Sequence, residues 1–290
     1  MADIASLIKQ AEALLQRIEA IVPQPSPPVD WNAHAFRWRK RAGIGYLQSV
    51  TQPHRISLDA LHDIDEQKKI IERNTRQFVN GKPANNILLT GARGTGKSSL
   101  VKAMLSKFAK KGLRLIEVDK SDLVDLPDIV DLVCGRPERF IIYCDDLSFE
   151  ASESAYKALK VALDGSIAGS ADNVLIYATS NRRHLMPEYM ADNLDTRHIG
   201  DEIHPSETIE EKISLSERFG IWLSFYPFNQ DQYLDIVEHW VASFDVAVKD
   251  KKALHDAALL WALSRGSRSG RVAWQFARDW AGNHAMKRAE

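Results

Sequence analysis

Two short stretches hold the residue types from which phosphate and metal chemistry is built. The first is GARGTGKS, Gly91 to Ser98. Gly91, Gly94 and Gly96 let a backbone curl with its N–H groups turned inward, a cradle for phosphate oxygens. Ala92, Arg93 and Thr95 complete the loop, and Ser99 continues it. The spacing matches G-x-x-x-x-G-K-[ST], so Lys97 is placed to neutralise β- and γ-phosphates and Ser98 to offer its hydroxyl to Mg²⁺. The second stretch is FIIYCDDLSFE, Phe140 to Glu150, an apolar run ending on two adjacent carboxylates. A phosphate loop needs a further acid at a neighbouring strand end to hold the metal's water shell, and Asp145 fits that place. Asp146 fits an acid that orients an attacking water and accepts its proton; alternatively it, or Ser148, caps the next helix. A weaker signal is ATSN, Ala178 to Asn181, where Asn181 either positions the same water or is an ordinary turn asparagine.

These residues need a scaffold that brings strand ends together. NNILLTG (Asn85 to Gly91), LRLIEVD (Leu113 to Asp119), RFIIYCDD (Arg139 to Asp146) and NVLIYATSN (Asn173 to Asn181) are short apolar runs that predict strands. Between them, ISLDALHDIDEQKKIIERNTRQFVNG reads as a turn and then a helix, and SSLVKAMLSKFAKKG as a helix closed by Gly112. LPDIVDLVCG and SESAYKALKVALDG are further helices. A polar, irregular stretch follows to about Pro205, and IWLSFYPF is apolar and aromatic. The alternation predicts an α/β core, a five-stranded and mostly parallel sheet covered on both faces. About three helices from Gln230 predict a second, all-α unit. At the other end, Ile4 to Val22 has apolar residues at helical spacing, and PQPSPP stops that helix as a stiff linker.

The chain has 290 residues, 38 basic and 39 acidic, for a net charge of −1. This balance excludes a global electrostatic attraction to nucleic acid or acidic lipid, though not a local patch. The two cysteines, Cys134 and Cys144, have no metal-ligand spacing, and no apolar run is long enough to span a bilayer. A reduced, cytoplasmic protein without membrane contact is expected.

Phosphate loop, apolar strand with paired acids, and strand ending in asparagine, in that order, resemble the AAA+ ATPases. The resemblance implies a P-loop NTPase sheet core with a C-terminal helical lid, binding and hydrolysis of Mg-ATP between them, and assembly into a homo-oligomeric ring such as a hexamer. SLSERFG, Ser214 to Gly220, resembles the segment that carries the arginine finger, which makes Arg218 a catalytic residue acting in trans; the alternative is a salt-bridged surface arginine. GSRSGRVAWQFARDW, Gly266 to Trp280, resembles the start of the lid helix with the sensor-2 arginine, matched by Arg271 or, alternatively, Arg268. LDALHDIDEQKKII resembles the lead-in segment that packs around adenine, with Ile64 the nearest match and Asp63 where a glycine is usual. Over the last three quarters of the chain, PANNILLTGARGTGKSSLVKA, CDDLSFE, NVLIYATSNRRHL, EEKISLSERFG and RSGR together resemble a bacterial AAA+ family catalogued as a domain of unknown function. One departure stands out: most AAA+ members have Glu as the second acid, whereas Asp146 is one methylene shorter. Slow basal turnover is the expectation, with Glu150 a distant helper.

The expected organisation is an N-terminal extension over 1–45 (helix, Pro-rich linker and basic-aromatic segment), a nucleotide-binding core over 46–228 and a helical lid over 229–290. FRWRKR, Phe36 to Arg41, either grips a nucleic-acid backbone or is a solvated helix face with its aromatics on the core. The expected function is an ATPase that remodels or regulates an unidentified client protein. The alternatives are a DNA-associated ATPase of the helicase-loader or transposition-helper kind, and a slow nucleotide-gated scaffold.

Overall fold

The computed structural model describes residues 27–148, 154–164, 171–181, 197–199, 202–204, 217–246, 248 and 250–286, with 8 and 12–14 near the start. Most of the expected N-terminal helix, and Glu150, lie outside the described residues.

Strands β1 (Ala35–Arg41), β2 (Ile44–Ser49), β3 (Ile87–Gly91), β4 (Leu113–Val118), β5 (Arg139–Cys144), β6 (Val174–Ser180) and, further on, β9 (Ile221–Phe225) form one seven-stranded sheet in the order β2-β1-β4-β5-β6-β3-β9. All neighbours are parallel except β1 and β2. Between them in the chain, β7 (Arg197–Ile199) and β8 (Glu202–His204) form a small antiparallel ribbon where an irregular stretch was expected. Helices α1 (Asp65–Val79) and α2 (Lys97–Phe108) cover one face of the main sheet; α3 (Leu126–Val133) and α4 (Ser154–Asp164) cover the other. Strand periodicity produces this two-sided core. In β3, Ile87 and Leu89 pack with Ile71, Phe78, Met104 and Phe108, while Leu88 points the opposite way toward Ile129, Val133, Tyr156 and Leu159. Each fully buried side chain of this kind stabilises the fold by roughly 1.5–3 kcal/mol. Near-continuous apolar runs such as ILLTG are what a strand buried on both faces requires.

The sheet has two strands more than expected: β1 from the basic-aromatic segment and β2 directly after it. FRWRKR is a strand, not a helix face. Its alternation has period two: Phe36 and Trp38 are buried, with exposed Arg37 between them. A tight turn at Ala42 and Gly43, both at positive φ, returns the chain as β2, the turn geometry that matches hairpin twist. β1 then extends the sheet alongside β4. Three of the four cations on β1 are paired: Arg37 with Glu117 at 2.6 Å, Arg39 with Asp119 at 3.2 Å, and Lys40 with Asp125 at 2.7 Å. Trp38 donates its indole N–H to Asp125 at 2.8 Å. The segment is thus part of the sheet, and the expected boundary at 45/46 falls inside β2.

Helices α5 (Gln230–Ser243), α6 (Lys251–Arg265) and α7 (Gly270–Met286) enclose their own core of Tyr233, Val237, Leu254, Ala258, Ala273 and Phe276 among others. α5 starts with a reciprocal cap, Asn229 accepting from the Gln232 N–H while the Gln232 side chain accepts from the Asn229 N–H. Among the described residues no helix is long and apolar enough to cross a membrane.

Candidate active site

The sheet order places β3 between β6 and β9, and β5 beside β6. Register aligns their carboxyl ends: Cys144 opposes Ala178, Thr90 opposes Ser180, and Gly91 opposes Phe225. The residues just past those ends therefore meet at one edge, where open α/β sheets bind ligands.

Gly91 turns the chain out of β3 at φ +125, and a Cβ there would stand 1.9 Å from the Phe225 carbonyl oxygen. The Ala92 N–H donates to that oxygen at 3.1 Å, so the loop is anchored to β9. Gly94, at φ +74, lies against Ser269, whose Cβ a side chain would meet at 2.8 Å. α2 begins at Lys97, so the free N–H groups of its first turn face the same place as the loop amides.

Lys97 is 6% exposed; its Nζ donates to the carbonyls of Gly91 and Ala92 at 2.7 Å each and to Asn181 Oδ1 at 3.1 Å. Burial lowers its pKa, against the pull of Asp145 and Asp146. Asp145 Oδ1 accepts from Ser98 Oγ at 2.8 Å and from Thr179 Oγ1 at 2.5 Å. Burial would push the Asp145 carboxyl up, but the hydroxyls turned toward it, first Thr179, then the nearby Tyr143 and Ser98, outweigh it and hold it below the ordinary range. Asp146 stands at φ +52, its N–H donating to Thr179 Oγ1 at 2.9 Å. Its Oδ1 accepts from the Asn181 amide and its Oδ2 faces Arg93 Nη2 at 3.9 Å. Among the described residues the Asp146 side chain meets Asn181 and Arg93, and Asn181 bridges Lys97 to Asp146.

A cleft of 910 Å³ opens over these groups, between the lead-in segment, the loop and the lid. Arg93, Gly94, Thr95, Gly96, Lys97, Ser98 and Ser99 line it; Gly91 and Ala92 do not, lying beneath as the loop's anchor. Ile64 lines its apolar end with Leu61, His62, Ile236, Trp240 and Trp274. Asp63, in the place of a usual glycine, adopts φ +59, the left-handed conformation that explains a glycine there and that Asp tolerates better than most residues. Arg271 lines the cleft and Arg268 does not. The lid touches the loop directly: the Gly270 N–H donates to the Gly94 carbonyl at 2.9 Å. Arg218 does not line the cleft of its own chain; it pairs with Asp164, the last residue of α4, at 2.6 Å.

Ser98 and Asp145 are hard oxygen donors side by side beneath the phosphate cradle, which fits Mg²⁺ completed by phosphate and water oxygens. Tyr143 adds to that fit. Its fully buried hydroxyl has no partner of good hydrogen-bond geometry and faces Asp145, Ser98 and Thr179. Burial, then the Asp145 charge, drives its phenol far above the usual range, so it remains a donor. Thr179 and Tyr143 were not singled out from the sequence. The signal was strand periodicity: each sits two residues before a strand-end site residue, on the same face as Asn181 and Asp145 respectively.

The loop at the end of a central strand, paired acids on the strand next but one, and a three-helix unit bonded to the loop define the AAA+ form of the P-loop fold. Residues 31–284 match the family described as "Protein of unknown function (DUF815)", and the chain belongs to that family. The FIGL-1 AAA domain, solved in complex with ADP, is 16% identical, with 77% of this chain and 72% of that one covered and a TM-score of 0.51. A RuvB variant of Thermotoga maritima is 15% identical over 77% of this chain and 63% of its own, at TM-score 0.50. The RuvB Holliday junction branch migration motor of the same organism is 18% identical over 77% and 63%, at TM-score 0.45. At these identities the likeness is one of fold, and the chain spans less than two thirds of the RuvB chains it matches. No curated protein matches the chain.

Proposed function

We propose that this protein is an ATPase that binds Mg-ATP in the cleft, hydrolyses it, and uses the cycle to remodel or regulate a partner protein. The observation that carries this reading is the placement of two pairs around Lys97: Ser98 with Asp145 at 2.8 Å on the metal side, and Asn181 with Asp146 on the water side. FIGL-1, of the same fold, was solved with ADP, which supports a purine nucleotide in the apolar end formed by Ile64, Trp240 and Trp274.

The loop amides, Lys97 and the α2 N-terminus hold the β- and γ-phosphates. Ser98 and Asp145 would hold Mg²⁺, which would supply charge neutralisation on the phosphate oxygens. Asn181 and Asp146 hold water in line with the γ-phosphorus. As the water oxygen bonds to that phosphorus, the bond to the bridging oxygen breaks, ADP leaves, and the water's proton passes to Asp146. Arg218 lies outside its own cleft, which supports action on a neighbouring subunit's γ-phosphate in a homo-oligomeric ring. The Gly270–Gly94 hydrogen bond and Arg271 give the lid, from residue 229, a direct mechanical link to the phosphates. The DNA-associated alternative loses its local support, because the FRWRKR cations named above are paired with Glu117, Asp119 and Asp125.

The test is magnesium-dependent phosphate release. Wild type should release phosphate from ATP, Lys97→Ala and Arg218→Ala should each be inactive alone, and mixing the two should restore part of the turnover. No release by wild type refutes the ATPase; release without recovery on mixing, or on raising concentration, refutes the trans arrangement alone.

A further inference from the structure

Within the phosphate loop, one cation besides Lys97 reaches the reacting end of the cleft. Arg93 places Nη2 3.9 Å from Asp146 Oδ2, while Asn181 donates to Oδ1 of the same carboxylate. Lys97, in turn, is folded onto the Gly91 and Ala92 carbonyls and onto Asn181 Oδ1. Lys97, Asn181, Asp146 and Arg93 thus form one continuous chain in which both oxygens of the acid are engaged. Oδ2 is the oxygen that Asn181 does not bond, and Arg93 stands over it, where the attacking water would be held.

We propose that Arg93 is a catalytic residue acting in cis: it rests on Asp146 in the nucleotide-free protein and transfers to the γ-phosphate when ATP binds, releasing the acid for the attacking water. This rests on the reading that the cleft hydrolyses Mg-ATP. Position is the first reason. The oxygen that Arg93 faces belongs to the group that must hold the attacking water, so the guanidinium already stands beside the place where the γ-phosphate is attacked. Exchangeability is the second. The Arg93 side chain is 79% exposed, and an ion pair this long and this wet is weak, whereas guanidinium binds phosphate through a planar two-pronged fork. The third is the backbone of Asp146, held at φ +52 by its N–H bond to Thr179. That conformation is uncommon for a residue with a side chain and persists where the surroundings impose it. It keeps the carboxylate turned toward the loop, so that release depends on Arg93 and Asn181 moving and not on Asp146 refolding. ADP, which lacks the γ-phosphate, leaves Arg93 on Asp146; the acid is then available only when there is a bond to cleave.

The experiment compares wild type, Arg93→Ala and Arg93→Lys. Affinities for ADP and for a non-hydrolysable ATP analogue, both with Mg²⁺, are read by displacement of a fluorescent nucleotide, and phosphate release is read at saturating ATP. Arg93→Ala is expected to keep ADP affinity within about twofold, lose about tenfold toward the analogue, and release phosphate about a hundredfold more slowly, the cost of removing one charge-stabilising donor. Arg93→Lys should recover part of both losses. Nucleotide-free Arg93→Ala should melt with wild type, since the side chain is exposed. Unchanged analogue affinity and turnover overturn the proposal. Equal weakening of both nucleotides also overturns it, because Arg93 would then only shape the loop, and faster turnover would reduce it to a restraint on Asp146. If wild type binds and hydrolyses ATP while Arg93→Ala behaves identically, the ATPase reading survives and this inference fails; if wild type binds neither nucleotide, both fail.

Discussion

Thr179→Val removes one hydroxyl while keeping the branched shape that fills its site. Thr179 is buried, and its Oγ1 does two things: it donates to Asp145 at 2.5 Å and accepts the Asp146 N–H at 2.9 Å. Losing the first removes a bond to a charged group, but water reaches Asp145 from the cleft, so about 1 kcal/mol is the appropriate figure rather than the upper end for such bonds. Losing the second leaves a backbone donor without its partner, which costs about 1–2 kcal/mol more. The expected destabilisation is about 2–3 kcal/mol, or a melting temperature lower by about 4–10 °C for a protein of this size. Because the same hydroxyl orients the metal-side carboxylate and fixes the backbone of Asp146, the variant should also need more Mg²⁺ to hold ATP. Thr179→Ser should recover most of both effects. Thermal melting without nucleotide and Mg²⁺ titration of fluorescent-ATP binding measure the two separately. If Thr179→Val melts with wild type and has an unchanged Mg²⁺ requirement, the link from Thr179 to both acids is wrong.

Asp146→Glu restores the methylene that this chain lacks, and if the short acid limits turnover, phosphate release should rise by about tenfold at saturating ATP; an unchanged or lower rate rejects that explanation of slow turnover. The Asp145 carboxyl is held below its ordinary range, so the folded protein binds its proton less readily than the unfolded chain does. Its contribution to stability is therefore full above about pH 4 and is lost as pH falls through the lowered folded-state value. Denaturant melts of wild type and Asp145→Asn should differ most above about pH 4 and converge below it; a constant gap across that window would show that the charge of Asp145 is not what the surrounding hydroxyls stabilise.

The phosphate loop, the paired acids and the strand-end asparagine were legible because each depends on local spacing: a glycine loop between a strand and a helix, or a carboxylate where an apolar run stops. The helical lid was legible for the same reason, its three amphipathic segments carrying their own caps and stops. The basic-aromatic segment was not. Phe36, Arg37, Trp38, Arg39 and Lys40 satisfy a short helical stripe as well as a strand, and only the neighbouring β4, with Glu117 and Asp119 opposite the arginines, decides between them. Thr179 and Tyr143 escaped notice because strand periodicity names the face but not what stands across it.

The sequence by itself determined which residues can handle a phosphate and in what order they occur along the chain, since that chemistry is carried by residue type and local spacing. Only the tertiary structure decided how they work together. Residues separated by dozens of positions become partners through sheet order and register: Ser98 with Asp145, Lys97 with Asn181, Gly94 with Gly270, and Arg93 with both Asp146 and the open cleft. Such pairings depend on long-range packing of strands buried on both faces, and a local pattern contains no record of it.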